Sequence, residues 1–183
     1  MSKSSRGKSV VSGKGGAQSA LEKQVLANVE KALQSLQRRA DALRKSRHRE
    51  KYTFHVSFVE QMTTLLRSAK SFPNMTTAEL ASLHERAGAF IHGLRTGMVA
   101  MQGDLPPTDT SGDDWWSGLQ QCTDSCFQKY ELCLKRAEEA ALKTAGRRGV
   151  LIGFGELVAR QLACLAAYAL CVDNCQTLNP PPV

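Results

Sequence analysis

Two stretches decide the fold: CTDSCFQKYELC, Cys122 to Cys133, and CLAAYALCVDNC, Cys164 to Cys175. The spacings read C-x3-C-x6-C and then C-x6-C-x3-C, so the second stretch mirrors the first. Taken from the outside inward, the residue numbers of each mirrored pair add to the same value, 297. A constant sum is the register rule of two antiparallel elements that face each other. It puts the reversal near 148.5, where the chain reads Gly146-Arg147-Arg148-Gly149, a glycine-bounded turn between helices on independent grounds.

Steps of four and seven keep Cys122, Cys126 and Cys133 on one helix face, and the reverse steps do the same for Cys164, Cys171 and Cys175. The expectation is an antiparallel helical hairpin, residues 112–145 and 150–176, closed by Cys122–Cys175, Cys126–Cys171 and Cys133–Cys164. A disulfide needs Cα atoms about 5.5 Å apart. Helices usually pack at about 8–10 Å. The hairpin must therefore approach closely, and Ala137, Ala140, Ala141, Ala163, Ala166, Ala167 and Ala169 are small enough to allow it.

Two other uses of the thiols stay open at this stage. Cys122, Cys126, Cys171 and Cys175 could bind Zn or Cu(I) as thiolates, or the cysteines could be buried and free. Against one metal, the three facing pairs spread over about 11 residues, roughly 16 Å of helix, which is too long for a single four-ligand site.

Paired cysteines stapling a helical hairpin resemble the twin-CX3C and CHCH class, which includes plant α-hairpinins and small intermembrane-space proteins. Cys122/Cys126 and Cys171/Cys175 match its twin motif, and Cys133 with Cys164 adds a third rung that the class lacks. The resemblance implies an oxidising compartment (secreted, periplasmic or intermembrane space) and a non-enzymatic interaction role. A non-classical export route goes with it, because residues 1–20 contain no apolar run of signal-peptide length.

Outward from the hairpin the chain divides into a basic leader, residues 1–18, N-terminal helices over 19–102, a linker at 103–111, the hairpin at 112–177 and a Pro-rich tail at 178–183. The net charge of +7 is uneven: residues 1–51 hold 13 Lys or Arg against 4 Asp or Glu, and the remainder is close to neutral. The leader is Ser-, Gly- and Lys-rich and reads as disordered. Its string VVSGKGGAQSA resembles the opening of a ParA/MinD-type phosphate loop, but Gln18, Ser19 and Ala20 stand where that loop needs Gly, Lys and a hydroxyl residue.

From Ser19 the pattern is helical, with a seam of Leu26, Val29, Leu33, Leu36, Ala40 and Leu43. The opposite face makes Arg38, Arg39, Arg44, Lys45, Arg47, Arg49 and Lys51 candidates for nucleic acid or an anionic surface. YTFHVSF, residues 52–58, alternates like a strand, yet Phe54, Phe58, Met62 and Leu65 keep helical spacing to about Ser71. Thr76 with Glu79 forms a capping box, and Met75 with Leu80 a hydrophobic staple, for a helix reaching about Gln102. His84 and His92 lie eight residues apart and His48 with His55 sit in a basic patch, so none suits a metal.

Residues 150–172 are apolar but interrupted by Glu156, Arg160 and Gln161, which favours a buried bundle helix over a stable transmembrane span. A pore-forming or membrane-active toxin is the minor alternative. No spacing composes a catalytic site, and no cofactor is expected. The expected class is all-α: a helical bundle with a disulfide-stapled C-terminal hairpin, acting on a protein partner that the sequence does not name.

Overall fold

The computed structural model describes residues 20–45, 53–104 and 113–178. The expected leader, the tail from Asn179 and the candidates Arg47, Arg49 and Lys51 lie outside the described residues, as do His48 and most of the linker.

The fold is all-α, with no strand among the described residues. Five α-helices follow one another: α1 Ala20–Lys45, α2 Thr53–Ala69, α3 Thr77–Asp104, α4 Asp113–Arg148 and α5 Val150–Leu178. From Thr53 the strand-like alternation of residues 52–58 is helix α2, and burial follows the helical period: Phe58, Val59, Met62, Leu65, Leu66 and Ala69 are all buried.

The hairpin turn is tighter than the four-residue segment expected. Helix α4 runs through Gly146, Arg147 and Arg148, and Gly149 alone separates it from α5. Its φ of +103° lies where a side chain would be strained, its N–H donates to Ala145 O at 3.0 Å, and its own carbonyl accepts from Gly153 N–H at 3.1 Å. One left-handed residue thus ends one helix and starts the next.

Helix α5 touches every other helix and forms the centre of the bundle. Helix α1 runs parallel to it, since Ser35 and Arg39 contact Asp173 and Arg39 also reaches Thr177. Helix α2 runs back along α1, with Lys70 Nζ 2.6 Å from Glu30. This sandwiching shifts the expected α1 seam. Val25, Val29, Ala32 and Leu36 are the buried apolar positions among the described residues of α1, whereas Leu26, Leu33 and Ala40 are half-buried, because α1 is covered by α5 on one side and α2 on another.

A 3₁₀ turn at Phe72–Asn74 leads into α3 through the expected capping box. Thr76 N–H donates to Glu79 Oε2 at 2.7 Å, and Glu79 N–H donates to Thr76 Oγ1 at 3.3 Å. The Thr76 amide, then its hydroxyl, holds the Glu79 carboxyl below its ordinary value. Met75 and Leu80, the staple positions, are both buried.

Candidate functional site: the disulfide ladder and its basic surroundings

Three disulfides join α4 to α5: Cys122–Cys175 with Cα atoms 5.7 Å apart, and Cys126–Cys171 and Cys133–Cys164, each at 5.8 Å. Small residues make this approach feasible. Ala137 and Ala141 of α4 are buried beside it; of the expected α5 alanines, Ala166 and Ala169 are buried about 140–200° around the helix from Cys164, away from α4, and Ala167 is exposed. The two helices also approach closely at Gly153, where an added Cβ would lie 2.6 Å from Ala145 Cβ and 2.8 Å from Ala141 O.

Each rung has one buried and one half-buried sulfur residue. Cys126, Cys164 and Cys175 are buried, and Cys122, Cys171 and Cys133 are half-exposed partners. The two outer rungs nearly touch, with Cys126 Sγ 3.5 Å from Cys175 Sγ. Sγ of Cys122, Cys126 and Cys175 all lie within 4.8 Å of one another, and Cys171 is bonded to Cys126. Only a thiolate is a competent metal ligand, so this cluster could hold Zn or Cu(I) only after both bridges opened.

Aromatic side chains support the ladder from one side. The Tyr130 and Tyr168 rings lie 5.4 Å apart, and burial pushes both phenols up to about 12, so they remain protonated at neutral pH. Buried Gln161 lies beside Tyr130 and accepts a hydrogen bond from His84 Nδ1–H through Oε1. That bond ties α3 to α5 and gives His84 a packing role. His92 is exposed on the same helix.

The basic candidates separate into two kinds. Arg38, Arg44 and Lys45 are exposed, with Arg44 Nη1 a loose 3.6 Å from Asp41. Arg39 is a correction to the expected ridge: it turns inward, donating from Nε to Asp173 Oδ1 at 2.8 Å and from Nη2 to the Asp173 carbonyl and to Thr177 Oγ1. Its guanidinium fork fits the carboxylate and carbonyl of one residue, so it braces the bundle.

No known protein family, curated protein or solved structure matches this chain.

What remains is the chemistry of its surfaces. A groove of about 530 Å³ runs between the start of α1 and the ladder, with Leu21, Val25 and the Cys133–Cys164 bridge in its lining and Lys129, Arg136 and Arg160 around it. Arg160 is held by Glu156 at 2.7 Å. The Thr144 hydroxyl, then Arg160, keeps the Glu156 carboxyl below its ordinary value. Sequence reading missed this groove because its residues come from three helices with no shared motif.

Proposed function

We propose that this chain is a non-enzymatic helical interaction protein whose disulfides fix a hairpin surface and whose α1 cations contact polyanions. The observation that carries this reading is the ladder: three bridges, all at one Cα spacing, lock the register of the two longest helices. A binding surface gains from such rigidity because less conformational entropy is lost on association. Three intramolecular disulfides are consistent with an oxidising compartment; secretion, the periplasm or an intermembrane space reached by a non-classical route is the finer reading.

The intact mass of the non-reduced chain tests the ladder. It is expected six hydrogens below that of the reduced chain, in line with its six cysteines, and free of metal. The second reading, a thiolate metal or redox centre, is favoured by the sulfur cluster of Cys122, Cys126 and Cys175. Alkylatable thiols together with stoichiometric Zn or Cu would establish it in place of the first.

Polyanion contact has its own test. Arg38→Gln/Arg44→Gln/Lys45→Gln is expected to weaken binding of duplex DNA about tenfold at low salt and to flatten the salt dependence, as loss of phosphate contacts requires. Unchanged affinity and slope would remove α1 from the reading.

A further inference from the structure

We infer that the tip of the α4–α5 hairpin docks end-on against an anionic phospholipid bilayer. The first observation is where the apolar surface lies. Six large hydrophobic residues are exposed among the described residues, and four of them, Leu142, Val150, Leu151 and Ile152, fall within residues 142–152 at 50–76% exposure. Scattered apolar residues on a surface need no explanation, but a cluster confined to one end of one motif does.

The second observation is charge. Residues 140–155 contain Lys143, Arg147 and Arg148 and no acid. All three cations are exposed. Two carboxylates come near this end: Glu156, bonded to Arg160 and within Coulombic reach of Arg148, and Glu139, one helical turn before Lys143; the three cations outnumber them.

Geometry joins the two. Gly153 faces α4, and Val150, Leu151 and Ile152, at steps of about 100° in the first turn of α5, fan out around the helix end, all three exposed. They lie within roughly 5 Å of the helix end, and Leu142 is about 9 Å back along α4. Those heights match the roughly 5–10 Å to which apolar side chains enter the headgroup and acyl boundary of a bilayer. Arg147 and Arg148 lie at the tip itself, within about 2 Å of the helix end, and extend their stems back along the apolar zone to phosphate level, where Lys143, about 8 Å back along α4, already lies.

The tip also stands clear of α1. The parallel offset set by Ser35–Asp173 and Arg39–Thr177 is 138 residues, which puts Ala20 level with about residue 158 of α5. The first two turns of α5 therefore lie beyond the start of α1. The Cys133–Cys164 rung anchors this end, so docking orders little that is not already fixed.

A bilayer fits better than the other occupants. Two copies meeting tip to tip would oppose three cations with three. A nucleic-acid backbone would use the arginines but leave Leu151 and Ile152 in water. An anionic membrane takes up both features at once. This surface is separate from the α1 cations, so the two can fail independently.

Flotation of the oxidised full chain with vesicles of phosphatidylcholine, alone or mixed with phosphatidylglycerol, tests the inference. Binding is expected only with the anionic lipid. It should fall at least tenfold in Leu151→Glu/Ile152→Glu and about tenfold in Arg147→Gln/Arg148→Gln. Arg38→Gln/Arg44→Gln/Lys45→Gln should keep binding that still depends on the tip. Leu151→Trp reports position directly: lipids brominated in their acyl chains should quench it beyond the wild type, which carries Trp115 and Trp116. Tip variants that bind like wild type, no added quenching in Leu151→Trp, or a tip substitution that instead dissociates a dimer in sedimentation would each overturn it. Far-UV circular dichroism and the intact mass of each variant establish that the hairpin is folded and oxidised.

Discussion

Gly153→Ala is expected to destabilise the oxidised chain by roughly 1–3 kcal/mol in urea unfolding. Helix propensity alone predicts the opposite, since alanine in a helix interior gains about 0.5–1 kcal/mol over glycine. The reversal comes from the approach of α4. A Cβ at residue 153 would meet Ala145 Cβ at 2.6 Å, Ala141 O at 2.8 Å and Ala145 Cα at 3.0 Å, and two of these are backbone atoms that no rotamer change can move. Helix α4 cannot retreat freely, being tied to α5 by Cys133–Cys164 at 5.8 Å. Gly155→Ala supplies the internal control, because a Cβ there meets nothing within 4 Å. That variant should be more stable than the wild type by about 0.5–1 kcal/mol. Midpoints measured at constant slope give both values. Two shifts of the same sign would show that the helices are not held as closely as the ladder requires.

Asp173→Ala should cost roughly 2–3 kcal/mol in the same assay. Its carboxylate accepts from Ser35 Oγ at 2.5 Å and from Arg39 Nε at 2.8 Å, and only 22% and 19% of the Arg39 and Asp173 side chains are exposed. Removing the carboxylate leaves two donors facing a half-dry interface, Ser35 being buried at 6% exposure. Leaving a buried donor unmatched costs more than a made bond contributes. Ser35→Ala in the Asp173→Ala background should therefore cost much less than in the wild type. A double-mutant cycle with near-zero coupling would mean that the interface is held by packing alone. Amide exchange in α1 should accelerate in Asp173→Ala, because this contact fixes α1 to α5.

The contrast between these two sites shows what was legible in the sequence. The cysteine mirror was readable because a disulfide is a short fixed constraint, and on two helices such constraints leave a linear record in the residue numbers. The turn followed from the same arithmetic, with Gly149 beside the computed centre. The capping box at Thr76 and Glu79 was readable because its partners are three residues apart. Arg39 was not, since its acceptor is 134 residues away and nothing in the local pattern distinguishes it from Arg38 beside it. The α1 seam was offset for a related reason: a single heptad stripe presumes one neighbour, and α1 has two. The apolar segment from Val150 was read as a buried helix. Its middle and end are buried, but its first turn is exposed, because whether an apolar residue is covered depends on how far the neighbouring helices extend.

The one-residue turn at Gly149 also bears on the order in which the ladder assembles. The bridged residues are 31, 45 and 53 positions apart, so the cost of bringing the first two sulfurs together is lowest for Cys133–Cys164. Once that bond exists, Cys126 and Cys171 are each only seven residues from an anchored partner, and Cys122 and Cys175 then only four from the next. Each closure thus shortens the search for the one after it. Oxidation that starts with the bridge nearest Gly149 runs outward like a zip, and the bridge that forms first is the most local of the three, the arrangement that favours fast folding.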